Sequence, residues 1–508
     1  MADSSDTSAA GAVAATQAGV VAGVDDGAVT RFLGVPYAAP PIGPLRFALP
    51  QAPVAWSGTR DASKRGFIAP QYVPTAAEFE KVLPGLDFVP LVGVDQTQGD
   101  DFLVLNIWKP SGASAGLPVM VFIHGGSFTG GSGAADVYDG SAFARTGVIC
   151  VSINYRLGIE GFLPIPGAPT NLGLRDQLFA LQWVQNNIAA FGGDAGNVTV
   201  FGESAGAMSI ANLVASPLAK GLFRRAIVQS GHGDMVRPIP IAQRLVTKVA
   251  KTLGVKPTLD GFRSRSIADS IKALRKVSLP TARIDLRNED GREPAFGLSR
   301  FLPVYGDDVL PQHPVTALRN GVGADVELLI GTNTEEMNLY FVPSGLRRKI
   351  GKFLANFVVK RAEPKAKEIL KAYGINERGK RPGDAFTEAL TDLVFRLPAR
   401  RFAQAHRGRT HVYAFGWRST AYDNQLGACH AMELPFVFDT LSTVRGPRGL
   451  AGVNPPQELA TRMNKIWSDF AKTGELPWPA YDDKRVAYTL ETGIAAPEQP
   501  LIAERFLP

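Results

Sequence analysis

The sequence predicts an α/β protein with a central, mostly parallel sheet flanked by helices. Three observations carry this. Short apolar runs recur along the 508 residues without polar alternation, as in strands covered on both faces. Helix-patterned segments fall between them. And one run passes through Gly202-Glu203-Ser204-Ala205-Gly206 into a helix-forming segment, the strand–turn–helix context that can thrust a serine out of a sheet.

The elements follow in chain order. Val119 to Ile123 and Val148 to Ile153 are apolar runs of strand length. Leu174, Leu178, Leu181, Val184 and Ile188 mark one face at helical spacing. Asn197 to Phe201 leads into the Ser204 turn, and Ala207 to Ala211 continues it as helix. Ala226 to Val228, Val326 to Ile330 and His411 to Phe415 complete the strands. The least regular stretches, about 60–98, 255–300 and 340–400, are candidate lids over the carboxyl edge of the sheet. Between Arg347 and Arg381 basic residues interleave with Phe353, Leu354, Phe357 and Val358, as in an amphipathic helix with a wet face.

Composition narrows the class. Hydrophobic residues make up 45% and charged residues 20%, which argues against extensive disorder. No apolar run reaches membrane-spanning length. A net charge of +7 is mild at this length and selects no nucleic acid or anionic partner. Two cysteines, Cys150 and Cys429, provide neither a disulfide framework nor a metal-binding spacing, and Cys150 reads as core. Met1 to Thr16 is rich in Ala and Ser and lacks the basic and apolar regions of a signal peptide. As written the chain reads as cytoplasmic, or as exported with a signal already removed. Residues 1–18 read as a flexible tail and 19–508 as one large domain.

Glycines let the backbone on either side of Ser204 turn tightly. A serine nucleophile attacking a carbonyl needs oxyanion donors, a base and an acid. His124-Gly125-Gly126-Ser127-Phe128 follows a strand and is the kind of glycine loop that presents backbone N–H groups, with Ala205 N–H as the other arm. Of six histidines, His430 is best placed by position and elimination. It lies in a loop-like stretch after the last strand, within Gly427 to Phe436. The acid belongs after a strand and before the histidine, which points to Glu335 or Glu336. Spacing does not choose between them.

These residues together resemble the type-B carboxylesterase/cholinesterase family of α/β-hydrolases, from about Gly19 to the C-terminus. The markers are Phe32 to Ala38, Pro41 to Phe47, Leu105 to Trp108, the His124 loop, Ser152 to Gly158, Asn171 to Gln177, Phe191 to Asp194, the Ser204 turn, Gln229 to Gly231 and Ala428 to Phe438. The resemblance implies the α/β-hydrolase fold, with lid segments near 60–98 and 340–400. It implies Ser204 as nucleophile, His430 as base and Glu336 as acid. Gly126, Ser127 and Ala205 would be oxyanion donors with Gly125 in the loop, Ser230 a support behind the triad, and Glu203 a carboxylate beside the nucleophile. Arg46 with Asp100 and Arg156 with Asp176 match structural ion pairs.

Four departures stand out. The family's N-terminal disulfide falls on Ala69 and Phe102. Met337 replaces the glycine after the acid, Ser127 the third loop glycine, and His232 a small residue that usually follows Gln229-Ser230-Gly231.

The implied activity is hydrolysis of carboxylic esters through an acyl-enzyme, on a small-molecule substrate that is bulky or anionic, without metal or organic cofactor. The alternatives are the same triad acting on amides, carbamates or lactones, and a non-catalytic adhesion module of the same family. Nothing in the sequence selects an oligomeric state.

Overall fold

The computed structural model describes residues 12–93, 95–112 and 115–507. Eleven strands form the main sheet. They are β1 (Val24–Asp25), β2 (Val29–Pro36), β3 (Val104–Pro110), β4 (Leu117–Ile123), β5 (Ile149–Ile153) and β6 (Gly193–Glu203). After these come β7 (Arg225–Gln229), β8 (Glu327–Asn333), β9 (Thr410–Phe415), β10 (Val486–Thr489) and β11 (Ile494–Pro497). Their spatial order is β11-β10-β9-β8-β7-β6-β4-β5-β3-β2-β1. Every neighbouring pair from β5 across to β10 is parallel. The two flanks pair antiparallel. The mostly parallel sheet expected from the apolar runs is therefore present, with the antiparallel flanks as an addition.

The apolar runs are continuous because both faces are covered. On β4, Val119, Val121 and Ile123 enter one hydrophobic cluster, while Met120 and Phe122 enter the other, as the two-residue strand period requires. Helices α1 (Leu172–Asn187) and α2 (Ala205–Val214) cover the first face through residues such as Leu174, Leu181, Met208 and Ile210. The basic, amphipathic stretch expected after Arg347 contains α3 (Lys352–Lys360). The opposite face is covered by α4 (Gln457–Thr473), which buries Leu459, Met463, Trp467 and Phe470.

Two expectations need adjustment. The tail expected over 1–18 overlaps a strand: Val13–Ala15 pairs antiparallel with Val20–Ala22, and Ala14 is buried there. Residues 1–11 lie outside the described residues. Arg46 does not pair with Asp100. Its buried guanidinium holds Glu160 through two hydrogen bonds, of 2.9 and 2.7 Å, and also donates to Ser270. Asp100 is exposed, and a buried cation takes the carboxylate buried with it. The Arg156–Asp176 pair is as expected, bidentate at 2.8 and 2.6 Å and almost wholly buried. Ala69 and Phe102 are both core residues, so side-chain packing occupies the place of the absent bridge.

Candidate active site

The carboxyl ends of β4, β6, β7 and β8 lie side by side, with Ile123 opposite Gly202, Glu203 opposite Gln229, and Gln229 opposite Gly331. The four loops that leave this edge, together with the loop after the neighbouring β9, carry the residues singled out in the sequence.

Ser204 sits between β6 and α2 with φ 55° and ψ −124°. A non-glycine residue held there is strained, and such strain persists only where surrounding structure enforces it. The enforcement is visible. Ser204 N–H donates to the Gln229 carbonyl at 3.0 Å, and its carbonyl accepts from Met208 N–H at 2.8 Å. A side chain at Gly206 would collide with the Ile123 carbonyl, and one at Gly202 would stand 2.5 Å from it. The two glycines of the pentapeptide thus let the turn press against β4. All ten residues of α2 are buried, so the turn rests on a fixed helix.

The loop after β4 faces Ser204. A side chain at Gly125 would meet Ser204 Cβ at 3.1 Å and the Glu203 carbonyl at 2.9 Å, and one at Gly126 (φ 110°) would collide with the Gly130 carbonyl. Among the described residues, the N–H groups of Gly126 and Ser127 find no backbone acceptor. Ala205, the first residue of α2, has no carbonyl one turn earlier in the helix. The loop is held from behind by Gln71, which hydrogen-bonds both the N–H and the carbonyl of Gly131 at 2.8 and 2.9 Å. Ser299 Oγ holds the Ser127 carbonyl at 2.9 Å. His124 is part of this scaffold. Its ring stacks on Tyr155 at 4.5 Å, and its Nδ1 lies 2.7 Å from the Gly125 carbonyl. Burial pushes its pKa down to about 4, against the pull of that carbonyl, so the neutral ring donates to it.

His430 and Glu336 meet across the loops after β8 and β9. His430 Nδ1 is 2.7 Å from Glu336 Oε2, and His430 N–H donates to the Glu336 carbonyl at 3.1 Å. Glu336 is fully buried. Its Oε1 accepts from Ser230 Oγ at 2.6 Å and from Asn333 N–H at 2.8 Å. Glu335 goes elsewhere: it pairs with Arg418 and accepts from Ala428 N–H. The structure thus distinguishes the two glutamates that spacing left open. Met337 has φ −75° and ψ −5°, right-handed backbone that requires no glycine, and its side chain is core.

Glu203 lies on the far side of the imidazole. Its Oε1 is 3.0 Å from His430 Nε2. The two atoms are close without hydrogen-bond alignment, and each lacks a hydrogen-bond partner. No hydrogen bond joins Nε2 to Ser204 Oγ either.

Sequence reasoning missed Glu433, one turn after His430. It is fully buried and accepts from Asn333 Nδ2 at 2.6 Å and Gln229 Nε2 at 3.3 Å. Three carboxylates thus surround one imidazole. Burial pushes Glu203 up to about 8, with Glu433 and Glu336 reinforcing the rise and His430 opposing it. Burial and the Glu336 charge raise Glu433 to about 7. On His430, burial opposes the charged form, but Glu203 and Glu336 outweigh it and hold the pKa up to about 9. Glu203 and His430 are one coupled pair, so each rise depends on the proton carried by the other.

His232 does not join the site. Its Nε2 contacts the Val394 carbonyl at 2.7 Å and its Nδ1 accepts from Asp234 N–H at 3.1 Å, so both ring nitrogens are occupied. Val394 belongs to a π-helical turn, Asp392–Arg396, whose Phe395 packs on the His430 ring at 4.7 Å. Such turns recur at functional sites, and no sequence pattern marks them.

A cavity of about 260 Å³ opens onto Ser204 and His430. Val82, Leu83, Phe88 and Leu91 of the 60–98 segment line one wall, with Leu339 and Tyr340 on another. The first candidate lid therefore forms part of the cavity. The stretch 340–400 contributes Tyr340 and, through Phe395, a backing for His430.

The profile of the "Carboxylesterase family" matches residues 10–493. The chain belongs to the carboxylesterase family. It is 35% identical over 506 residues to the para-nitrobenzyl esterase of Bacillus subtilis, covering 96% of each chain. It is 32% identical over 505 residues to the phenmedipham hydrolase of Pseudarthrobacter oxydans, covering 95% of each. A solved PNB esterase superposes with a TM-score of 0.81 at 32% identity, covering 98% of this chain and 99% of that one. A Geobacillus stearothermophilus carboxylesterase gives 0.79 at 32% identity, covering 94% and 96%. The α/β-hydrolase fold and carboxylic ester hydrolysis follow for this carboxylesterase from that membership. Among its described residues, no helix is long and apolar enough to cross a membrane.

Proposed function

We propose that this carboxylesterase cleaves esters through an acyl-enzyme on Ser204, with His430 as base and Glu336 as the acid that orients it. The observation that carries this is the 2.7 Å contact between Glu336 Oε2 and His430 Nδ1, at the same sheet edge as the strained Ser204 turn. Glu336 keeps the Nδ1 proton in place and leaves Nε2 to take the serine proton. Ser204 Oγ attacks the ester carbonyl, and the N–H groups of Gly126, Ser127 and Ala205 receive the oxyanion. His430 returns its proton to the leaving alcohol, and water attacks the acyl-enzyme by the same route. Serine–histidine hydrogen bonds commonly tighten only when substrate binds, which accommodates their misalignment here.

Glu203 and Glu433 tune the imidazole rather than touch the carbonyl carbon. The mostly apolar wall around Ser204, with Val82, Leu83, Phe88 and Leu91, favours esters whose acyl and alcohol groups are apolar. The test is a panel of p-nitrophenyl esters, bulky aromatic diesters, polycarboxylate esters and matched amides, run with Ser204→Ala. Ester turnover abolished by that substitution is expected. Equal turnover by the variant, or amides outrunning esters, would overturn the reading.

A further inference from the structure

A second, larger cavity of about 770 Å³ lies on the other side of Ser299. Its walls come from the irregular stretch 278–300, from the end of α3 and the residues that follow it, and from Arg237. Five arginines line it, Arg237, Arg283, Arg287, Arg300 and Arg361, against two carboxylates, Asp285 and Glu293. Arg287 is paired with Asp285 at 2.8 Å and Arg237 with Glu293 at 2.5 Å. Arg300 donates to the carbonyls of Ala282 and Leu279, at 2.8 and 3.0 Å. Arg361 lies beside the Phe357 ring, 5.9 Å from its centroid. No carboxylate among the described residues pairs with Arg283, Arg300 or Arg361, so the cavity carries an excess of three positive charges.

Arg237 is the buried member. Its side chain is 2% exposed, and its Nε and Nη1 have no hydrogen-bond partner among the described residues. Buried guanidinium N–H groups without acceptors are costly to the protein alone. Burial likewise works against the charge of Arg237. The remaining wall is largely apolar, from Ile284, Leu286, Phe296, Phe357 and Val358. A cavity of this size with convergent cations and apolar walls suits an organic molecule rather than an inorganic ion.

We propose that this cavity binds an amphipathic carboxylate: a carboxylate head held by the arginines, and an aryl or alkyl body against Phe296 and Phe357. The planar forks of guanidinium groups match a carboxylate bidentately. The source of such a molecule rests on the proposed function, since ester hydrolysis releases a carboxylic acid. The carboxylate is either that free acid or the free acid end of a half-ester substrate. The site also has a route to the chemistry. Arg237 Nη2 donates to the Ser299 carbonyl at 3.3 Å, and Ser299 Oγ donates to the Ser127 carbonyl at 2.9 Å. Ser127 is itself in the wall of the Ser204 cavity, so an anion drawn to Arg237 bears on the loop proposed to hold the oxyanion.

The test is a calorimetric titration of the full-length Ser204→Ala protein with 4-phenylbutyrate and with 4-phenylbutan-1-ol, which shares the body but lacks the charge. The acid is expected to bind at least about tenfold tighter than the alcohol, the scale of one charged hydrogen bond. Adding Arg283→Gln and Arg361→Gln, both on the exposed rim, is expected to weaken that preference and leave alcohol binding unchanged. The same pair with Ser204 intact should hydrolyse p-nitrophenyl acetate like the wild type, which shows that the fold survives. Equal binding of acid and alcohol, or an acid preference unchanged by loss of both arginines, would overturn the proposal. Inhibition of ester hydrolysis by 4-phenylbutyrate then separates the sources: competition assigns the carboxylate to a substrate, and noncompetitive inhibition assigns it to the free acid. Binding is read without catalysis, so a failure of the Ser204 mechanism would leave these outcomes intact.

Discussion

Glu203 Oε1 stands 3.0 Å from His430 Nε2, the nitrogen that the proposed mechanism turns toward the serine. The carboxylate beside the nucleophile is therefore also a second charge against the imidazole, opposite Glu336 at 2.7 Å from Nδ1. It favours the imidazolium, while its own burial favours the protonated acid. A neutral His430 with protonated Glu203 and a charged His430 with ionised Glu203 carry the same net charge, and only the first can accept the Ser204 proton.

This fixes the sign of a pH effect. As the proposed base, His430 must be neutral to act, so kcat/KM should fall as pH drops through the pKa of the free enzyme's imidazole. Glu203 raises that pKa. Glu203→Gln should lower it and move the acid limb of the kcat/KM profile to lower pH by about 1 unit, within the range of a single nearby opposite charge. A pH–rate profile of the purified variant measures it. An unmoved limb, or one moved upward, would show that Glu203 does not govern the base.

The fold was legible wherever strands are covered on both faces, because burial writes itself as uninterrupted apolar residues. That is why Val119 to Ile123 and Asn197 to Phe201 stood out. The flanking strands β2 and β3 mix polar with apolar residues and escaped that pattern. Ser204 and the Gly125-Gly126 loop were legible because tight turns restrict residue type at specific positions. Glu433 was not. It stands in a quoted motif, but a glutamate reads as exposed until the fold buries it behind Asn333. Phe395 and Tyr340 reach His430 only through tertiary packing, and Arg46 chose Glu160 over Asp100 for the same reason.

Glu335 and Glu336 are adjacent in sequence and diverge in space. Glu336→Gln should lower kcat by about 10³–10⁴, as when an orienting carboxylate is replaced by an amide that selects the wrong tautomer. Glu335→Gln breaks its contact with Arg418 and should leave kcat within about tenfold, since partly exposed ion pairs contribute little. Steady-state kinetics of the two variants side by side decide this. Equal losses would remove Glu336 from its proposed role.

Arg156 and Asp176 form a bidentate pair buried on both sides. Asp176 Oδ2 also accepts from the Arg156 backbone N–H at 3.0 Å. Asp176→Asn would leave a buried guanidinium without its counter-charge and should cost about 3–5 kcal/mol. Thermal and urea unfolding should show a clear fall in Tm and midpoint. Replacement of the exposed Asp100, which does not hold Arg46, should change either by little, within about 0.5 kcal/mol. A stable Asp176→Asn protein would mean that the pair is not structural.

Ser204 is the proposed nucleophile. Intact-mass and peptide-level mass spectrometry after exposure to a p-nitrophenyl phosphonate test it most directly. One phosphonyl adduct per chain is expected, on the peptide containing Ser204, formed in step with loss of esterase activity and absent in Ser204→Ala. Equal labelling of the variant, or activity lost while Ser204 stays unmodified, would contradict it.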